Sequence, residues 1–217
     1  MRNYRAVCFD FDYTLGDSTD SIVAGFQYGL TQMGWPAPDR EAVRATIGYL
    51  LEDAYTMLTG DADPGRRTQF RPLFLSVAME RQRRETVLFP GAPELLKGLR
   101  ASGIKAAIVS TKRGDTIRCI MERHQLLDQL ELVVGSEDVA RPKPDPQGLL
   151  LSMDRMGVRP EELLFCGDTV LDAGAAQNAG CDFCAVLNGT TSAEEFGTFT
   201  PVHIAPDLPD LARWLGF

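Results

Sequence analysis

Ala6-Val7-Cys8-Phe9-Asp10-Phe11-Asp12-Tyr13-Thr14-Leu15 is the stretch that decides the fold. Its first four residues are apolar without a break. A strand covered on both faces of a parallel sheet has that continuous pattern. The run then stops at a carboxylate, and a second carboxylate follows two residues later. Positions i and i+2 of an extended chain point the same way, so Asp10 and Asp12 face one site. Two carboxylates about 4 Å apart repel by roughly 4 kcal/mol at an effective dielectric near 20. A cation or a held proton must relieve that repulsion. A hard cation such as Mg²⁺ takes oxygen ligands, and a proton held on one carboxyl makes it a general acid.

Outward from this strand, further short apolar runs occupy residues 104–109, 132–134, 163–166 and 183–187. Between most of them lie stretches with apolar residues three or four apart, as at 94–99 and 117–127. Buried strands alternating with helices predict an α/β fold with a parallel sheet. The spacing is uneven. Some 90 residues separate Asp10 from the run at 104, far more than one crossover helix needs. Helical patterns fill the gap, over 18–34, from Asp39 as N-cap to 47, over 50–58 and over 64–84. Pro72 is expected to kink or restart the last of these. Phe89-Pro90-Gly91 marks the return to the sheet. The expected organisation is an α/β core of residues 1–14 plus 88–217, with an all-helical insert at 15–87. Gly25 and Gly29, four apart, read as tight helix packing, with close approach of a substrate as the other reading.

The remaining strands also end in polar residues. Ser110-Thr111-Lys112 offers hydroxyls that can donate to a phosphoryl oxygen; alone it is a helix-entry loop with Asp115 as N-cap. Arg141-Pro142-Lys143-Pro144-Asp145-Pro146 places a lysine among three prolines that fix the loop, which suits a point charge aimed at phosphate. Gly167-Asp168-Thr169-Val170-Leu171-Asp172 brings two more carboxylates to a strand end. Each alone has an ordinary structural reading. Together they converge, because open parallel sheets bind ligands beyond the carboxyl ends of their strands. Carboxylates, hydroxyls and one lysine suit a divalent metal plus a phosphate, not a hydride carrier.

The chain of 217 residues carries a net charge of −8, which disfavours nucleic acid and anionic lipid as partners. Hydrophobic residues at 44% and charged residues at 24% exclude a disordered chain. No apolar run approaches the roughly 20 residues of a membrane span. Five cysteines, mostly in apolar stretches, read as reduced thiols of a cytoplasmic protein. Cys181-Asp182-Phe183-Cys184 reads as two small buried hydrophobes, since zinc needs a second ligand pair. His124 and His203 are expected to be structural, and Arg81, Arg83 and Arg84 to form a solvated helix face. The first residues show no apolar leader.

The four motifs, in order, resemble the haloacid dehalogenase-like hydrolase superfamily over essentially the whole chain. Asp10–Leu15 is similar to its first motif, Ser110 to its second, Lys143 to its third and Gly167–Asp172 to its fourth. The family often has Gly where Tyr13 stands. The insert matches the subfamily whose helical cap follows the first motif. Thr46-Ile47-Gly48-Tyr49-Leu50 and Phe89-Pro90-Gly91 are most similar to phosphoglycolate phosphatases and their relatives.

This resemblance implies a Rossmann-like core and a cap that closes over the site and selects the leaving group. It implies Asp10 as nucleophile and Asp12 as general acid and base. Ser110, Thr111 and Lys143 would hold the phosphoryl group. Mg²⁺ would sit on Asp10, Asp168 and the backbone carbonyl of Asp12. Asp172 would orient Lys143 or a metal-bound water. The expected substrate is a small phosphorylated metabolite, and the expected assembly a monomer or homodimer. A carboxylate at Asp12 favours phosphoryl transfer over dehalogenation, because a leaving alkoxide needs a proton and a halide does not. A sugar phosphomutase of the same subfamily shares every core motif. A phospho-acceptor signalling domain also collects acids, a hydroxyl and a lysine, but it is shorter and lacks the insert.

Overall fold

The computed structural model describes residues 4–217; Met1–Asn3, and with them the reading of the first residues, lie outside the described residues. The chain divides into two compact units, residues 4–17 with Leu88–Phe217 and the inserted Ser18–Val87. The boundary falls three residues later than the expected one. Leu15 is fully buried and its carbonyl accepts the Phe89 N–H at 2.9 Å, which keeps residues 15–17 within the core unit.

The larger unit is a six-stranded parallel sheet. Its strands are β1 (Ala6–Phe9), β4 (Lys105–Val109), β5 (Leu132–Val134), β6 (Leu163–Gly167), β7 (Asp182–Val186) and β8 (His203–Ala205). Two-residue strands β2 (Gly16–Asp17) and β3 (Val87–Leu88) mark the chain crossings. The sheet order is β5-β4-β1-β6-β7-β8. Side chains of β1 alternate between two cores. Val7 and Phe9 join the layer built with Leu95, Leu96, Leu99, Ile117 and Ile120. Ala6 and Cys8 join the layer built with Leu149, Met153, Ala173 and Ala176. The first layer draws on α5 (Ala92–Ala101), α6 (Gly114–Arg123) and α9 (Leu208–Leu215), the second on α7 (Gln147–Met156) and α8 (Val170–Ala179). This is a Rossmann-like α/β fold. From β1 the chain first builds outward through β4 and β5, then returns to add β6 on the other side. The reversal lies between β1 and β6, the place where open α/β sheets bind their ligands.

The inserted unit is all-helical, with α1 (Thr19–Gln32), α2 (Arg40–Arg44), α3 (Leu51–Thr59) and α4 (Pro64–Glu85). Asp39 caps α2 through the N–H groups of Glu41 and Ala42, but the helix stops at Arg44. α4 runs unbroken through Pro72, so no restart occurs there. Phe70 and Phe74, either side of that proline, are both buried, and their packing offsets the lost hydrogen bond. A Cβ on Gly25 would stand 2.7 Å from Ala78 Cβ, and one on Gly29 would stand 2.6 Å from the Phe70 ring. The two glycines therefore admit α4 against α1, and the packing reading holds. Phe26, Phe70, Phe74 and Tyr55 stack around this seam at ring separations of 5.0–6.0 Å.

Two smaller expectations change. Asp115 does not cap α6. Its carboxylate is held by the Arg113 guanidinium at 3.0 and 3.1 Å, and the Glu137 carboxylate accepts the N–H groups of Gly114 and Asp115 instead. The sheet also continues to β8 and α9, elements the apolar runs did not announce, because β8 has only three residues and one is exposed. All five cysteines are free thiols. His203 stacks on Trp214 at 4.8 Å and lies 2.7 Å from Asp210, a structural role.

Candidate active site

Asp10 leaves the end of β1 with its backbone N–H bonded to the Cys166 carbonyl of β6 at 2.9 Å. The chain then turns tightly. Phe11 O accepts the N–H groups of Leu15 and Gly16, and Tyr13 N–H donates to Gly16 O at 2.8 Å. Tyr13 sits at φ 60°, in the left-handed region. That backbone demand explains why a glycine suits this position.

Four charged side chains gather at the junction of β1 and β6. Oxygens of Asp10, Asp168 and Asp172 lie within 4.8 Å of one another, and all three residues are buried. Lys143 Nζ lies 2.5 Å from Asp172 Oδ1 and 2.8 Å from Asp10 Oδ1, with the lysine side chain only 5% exposed. The remaining oxygen of Asp172, Oδ2, accepts the Thr169 hydroxyl at 2.6 Å and the Thr169 N–H at 3.0 Å, within the capping box that starts α8. Both oxygens of Asp172 are thus engaged by protein donors. Asp168 Oδ1 accepts from the Thr14 hydroxyl at 3.1 Å.

Electrostatics follow from the count: three buried carboxylates surround one ammonium. Burial works against the charge of Lys143, yet Asp10 and Asp172 beside it outweigh burial and hold the ammonium above the ordinary lysine range. Burial, followed by repulsion from Asp172 and Asp10, pushes Asp168 well above the usual carboxylate range. Burial also pushes Asp172 up, against the pull of Lys143. Asp10 Oδ1 is buried and faces the Lys143 ammonium at 2.8 Å. An all-oxygen donor set with surplus negative charge fits a hard divalent cation. Asp10 and Asp168 have the oxygens to hold one, while Asp172 is committed to Lys143 and Thr169.

Asp12 does not join this cluster by a side-chain contact. Its Oδ2 accepts from Lys112 Nζ at 2.7 Å. Ser110, at the end of β4, is buried and its Oγ accepts the Lys112 N–H at 3.2 Å; Thr111 beside it is half-buried. The parallel register pairs Phe9 with Ile108, so residues 110–112 stand beside the Asp10–Asp12 turn. The structure thus puts Lys143 in contact with Asp10 and Asp172, gathers Asp168 within 4.8 Å of both carboxylates, and sets Asp12, Ser110 and Thr111 along the same edge.

Three participants escaped the sequence reading. Lys112 stood in the quoted run without a role, although its spacing from Ser110 repeats that of Asp12 from Asp10. Thr14 stood in the first motif unassigned. Gly189 follows β7: a Cβ there would lie 2.2 Å from Asp168 Oδ2, so only glycine leaves room for that carboxylate. The pair Asn188-Gly189 at a strand end was the available signal, and Asn188 Nδ2 donates to Thr14 O at 3.4 Å.

Comparison with known proteins adds the family. The model of the haloacid dehalogenase-like hydrolase family matches residues 7–186. The chain belongs to that family. The phosphoglycolate phosphatases of Salmonella typhimurium and Escherichia coli are each 30% identical to it, over 100% of this chain and 94% of theirs. A Bacteroides fragilis protein described as a haloacid dehalogenase-like hydrolase superposes with a TM-score of 0.93 at 38% identity, covering 96% of this chain and 99% of that one. A haloacid dehalogenase-like hydrolase from Streptococcus pneumoniae shares the fold, with a TM-score of 0.88 at 23% identity over 99% and 100% of the two chains. This member of the family is a phosphatase enzyme. No helix among its described residues is long and apolar enough to cross a membrane.

Proposed function

We propose that the chain hydrolyses a small phosphorylated metabolite of the phosphoglycolate type, with Mg²⁺ bound and an aspartyl-phosphate intermediate. The observation that carries this reading is the placement of Asp10. It stands at the sheet's reversal point, 2.8 Å from a buried lysine, within 4.8 Å of Asp168, and two residues from a second carboxylate. The identity of the curated relatives supports the substrate class.

In this reading the Asp10 carboxylate attacks phosphorus and the bond to the leaving oxygen breaks. Asp12 gives that oxygen its proton. Water then attacks the phosphorus of the acyl phosphate, Asp12 takes the water's proton, and Asp10 is released with inorganic phosphate. Lys143 and the Ser110 and Thr111 hydroxyls hold the transferring group and stabilise its charge, and Asp172 keeps Lys143 aimed. Asp10, Asp168 and the Asp12 carbonyl would hold Mg²⁺, which neutralises phosphoryl oxygens when bound. The inserted Ser18–Val87 unit takes the role of the cap that selects the leaving group.

The test is phosphate release from a panel of phosphoglycolate, pyrophosphate, nucleotides and sugar phosphates, with Mg²⁺ and with chelator. Mg²⁺-dependent release that is absent in Asp10→Asn is the expected result. No release from any substrate defeats the hydrolase reading, and isomerised sugar phosphate in its place makes the chain a mutase.

A further inference from the structure

Lys112 is the second buried lysine of this region, and none of the steps above uses it. Its side chain is 6% exposed. Its Nζ stands 2.7 Å from Asp12 Oδ2 and 5.8 Å from the centre of the Phe11 ring. The loop that carries it is pinned from its own side, because Ser110 Oγ accepts the Lys112 N–H and Lys112 O accepts the Ser136 N–H at 3.1 Å. The other oxygen of Asp12, Oδ1, is buried and takes no hydrogen bond from any described donor. The two oxygens of one carboxylate are therefore unlike: one is anchored and one is free.

That asymmetry has a chemical use. The terminal torsion of an aspartate is broad, so an unanchored carboxylate samples many orientations. A cation on one oxygen fixes where the other points. We propose that Lys112 is a positioning residue for Asp12, holding Oδ2 so that Oδ1 is the atom that exchanges the proton. The inference rests on the phosphatase reading above and extends it to the atom. In the first step the Oδ1–H bond breaks as the leaving oxygen gains the proton, and its bond to phosphorus breaks. In the second, a water O–H bond breaks toward Oδ1 as water oxygen bonds phosphorus and the Asp10–phosphorus bond breaks. Lys112 keeps its own proton throughout. A lysine suits this task because its charge ends a stem long enough to cross from β4 to the β1 turn.

The experiment measures steady-state phosphate release with Mg²⁺ for Lys112→Met, Lys112→Gln, Lys112→Arg, Asp12→Asn and the double variant Asp12→Asn with Lys112→Met, each checked by thermal melting. Misaligning a proton-transfer group by about 1 Å can cost about 10²-fold, so Lys112→Met is expected to lower kcat about 10²-fold with KM changed less than about threefold. Lys112→Arg restores most of that rate, because it keeps the charge. In the Asp12→Asn background, loss of Lys112 costs less than about twofold, since the residue acts only through Asp12. Lys112→Gln removes the charge and falls one bond short of Asp12, so it is expected to lose rate in the same way, and it serves if the methionine variant does not fold. Equal losses in both backgrounds, or a loss that appears in KM, overturn the proposal: Lys112 then binds substrate directly. Unchanged kcat in Lys112→Gln or Lys112→Met overturns it as well. The failure of the underlying reading looks different. There, the wild type releases no phosphate, or Asp10→Asn is as active as the wild type, and both inferences fall together.

Discussion

The two units of this chain bury opposite things. The helical insert buries an aromatic seam of Phe26, Tyr55, Phe70 and Phe74, and keeps its ion pairs, such as Arg71 with Glu52 and Arg40 with Asp20, on exposed or half-exposed side chains. The α/β unit buries charge: Asp10, Asp168, Asp172 and Lys143 are each at most 8% exposed. Buried ions are costly and weak evidence for stability, so a unit that carries four of them is arranged for chemistry. The insert, with none comparable among its described residues, is arranged for packing. Mutations should therefore separate cleanly. Those at the buried charges change turnover more than stability, and those at the aromatic seam do the reverse.

The largest effect tests the first half. Asp10→Asn should abolish turnover, by on the order of 10⁴-fold or more, because a nucleophile has no substitute. It should leave thermal stability in the absence of metal unreduced, since Lys143 keeps Asp172 and one of three mutually repelling carboxylates is gone. A melting curve beside a phosphate-release assay checks both. A variant that unfolds would show that the cluster holds the fold together, and the contrast between the units would collapse.

Gly189→Ala probes the same cluster from outside it. The new methyl would meet Asp168 Oδ2 at 2.2 Å, so the carboxylate has to move. Disturbing even an outer partner of a metal ligand commonly costs 10–100-fold in metal affinity, and Asp168 is itself a proposed ligand, so a loss of about 10²-fold or more is expected here. Mg²⁺ titrations of turnover and of melting temperature should shift together to higher concentration.

These two positions also show how far sequence alone reached. Asp10 was legible because a four-residue apolar run ends on it and its partners end the other strands in the same way. The parallel sheet and the helical insert followed from the same periodicities. Gly189 was not legible, because its reason is the space left beside a carboxylate 21 residues earlier, and no local pattern encodes that. Lys112 was visible as a residue but not as a partner of Asp12, since their meeting depends on β1 and β4 being neighbours across about 100 residues of chain. Asp115 misled for the opposite reason: its local pattern fits a cap, and Arg113 and Glu137 compete for the same groups.

In the insert the expected response is stability alone. Gly25→Ala sets two effects against each other. Alanine gains up to about 1 kcal/mol of helix propensity, while overpacking a filled seam costs about 1–3 kcal/mol. The added methyl would lie 2.7 Å from Ala78 Cβ, and a Cβ has no torsion with which to move away. Overpacking should win by about 1–2 kcal/mol, seen as a lower denaturation midpoint with kcat unchanged wherever the protein remains folded. A fall in kcat at full folding would mean that this helix pair also sets the chemistry.

The smallest effect concerns a half-buried polar network in the insert, which the contrast says should behave as ordinary linkage. The Asp61 carboxyl is held below the usual carboxylate range chiefly by the Asp63 N–H, against some burial, with help from the Tyr55 hydroxyl and Arg66. A lowered native value means that the unfolded chain binds the proton more readily, so Asp61 stabilises the fold above the unfolded carboxylate's pKa, about 3.9. That contribution fades as pH falls through the lower native value. Asp61→Asn should therefore melt slightly below the wild type at pH 7 and by the same margin down to about pH 5, with the two curves converging in stronger acid. The margin should not respond to Mg²⁺, because its donors and its charge partner are a backbone N–H, a phenol and a guanidinium of the insert itself. A margin that did respond to Mg²⁺ would couple the half-buried network of one unit to the buried carboxylates of the other, and the division of labour between them would have to be redrawn.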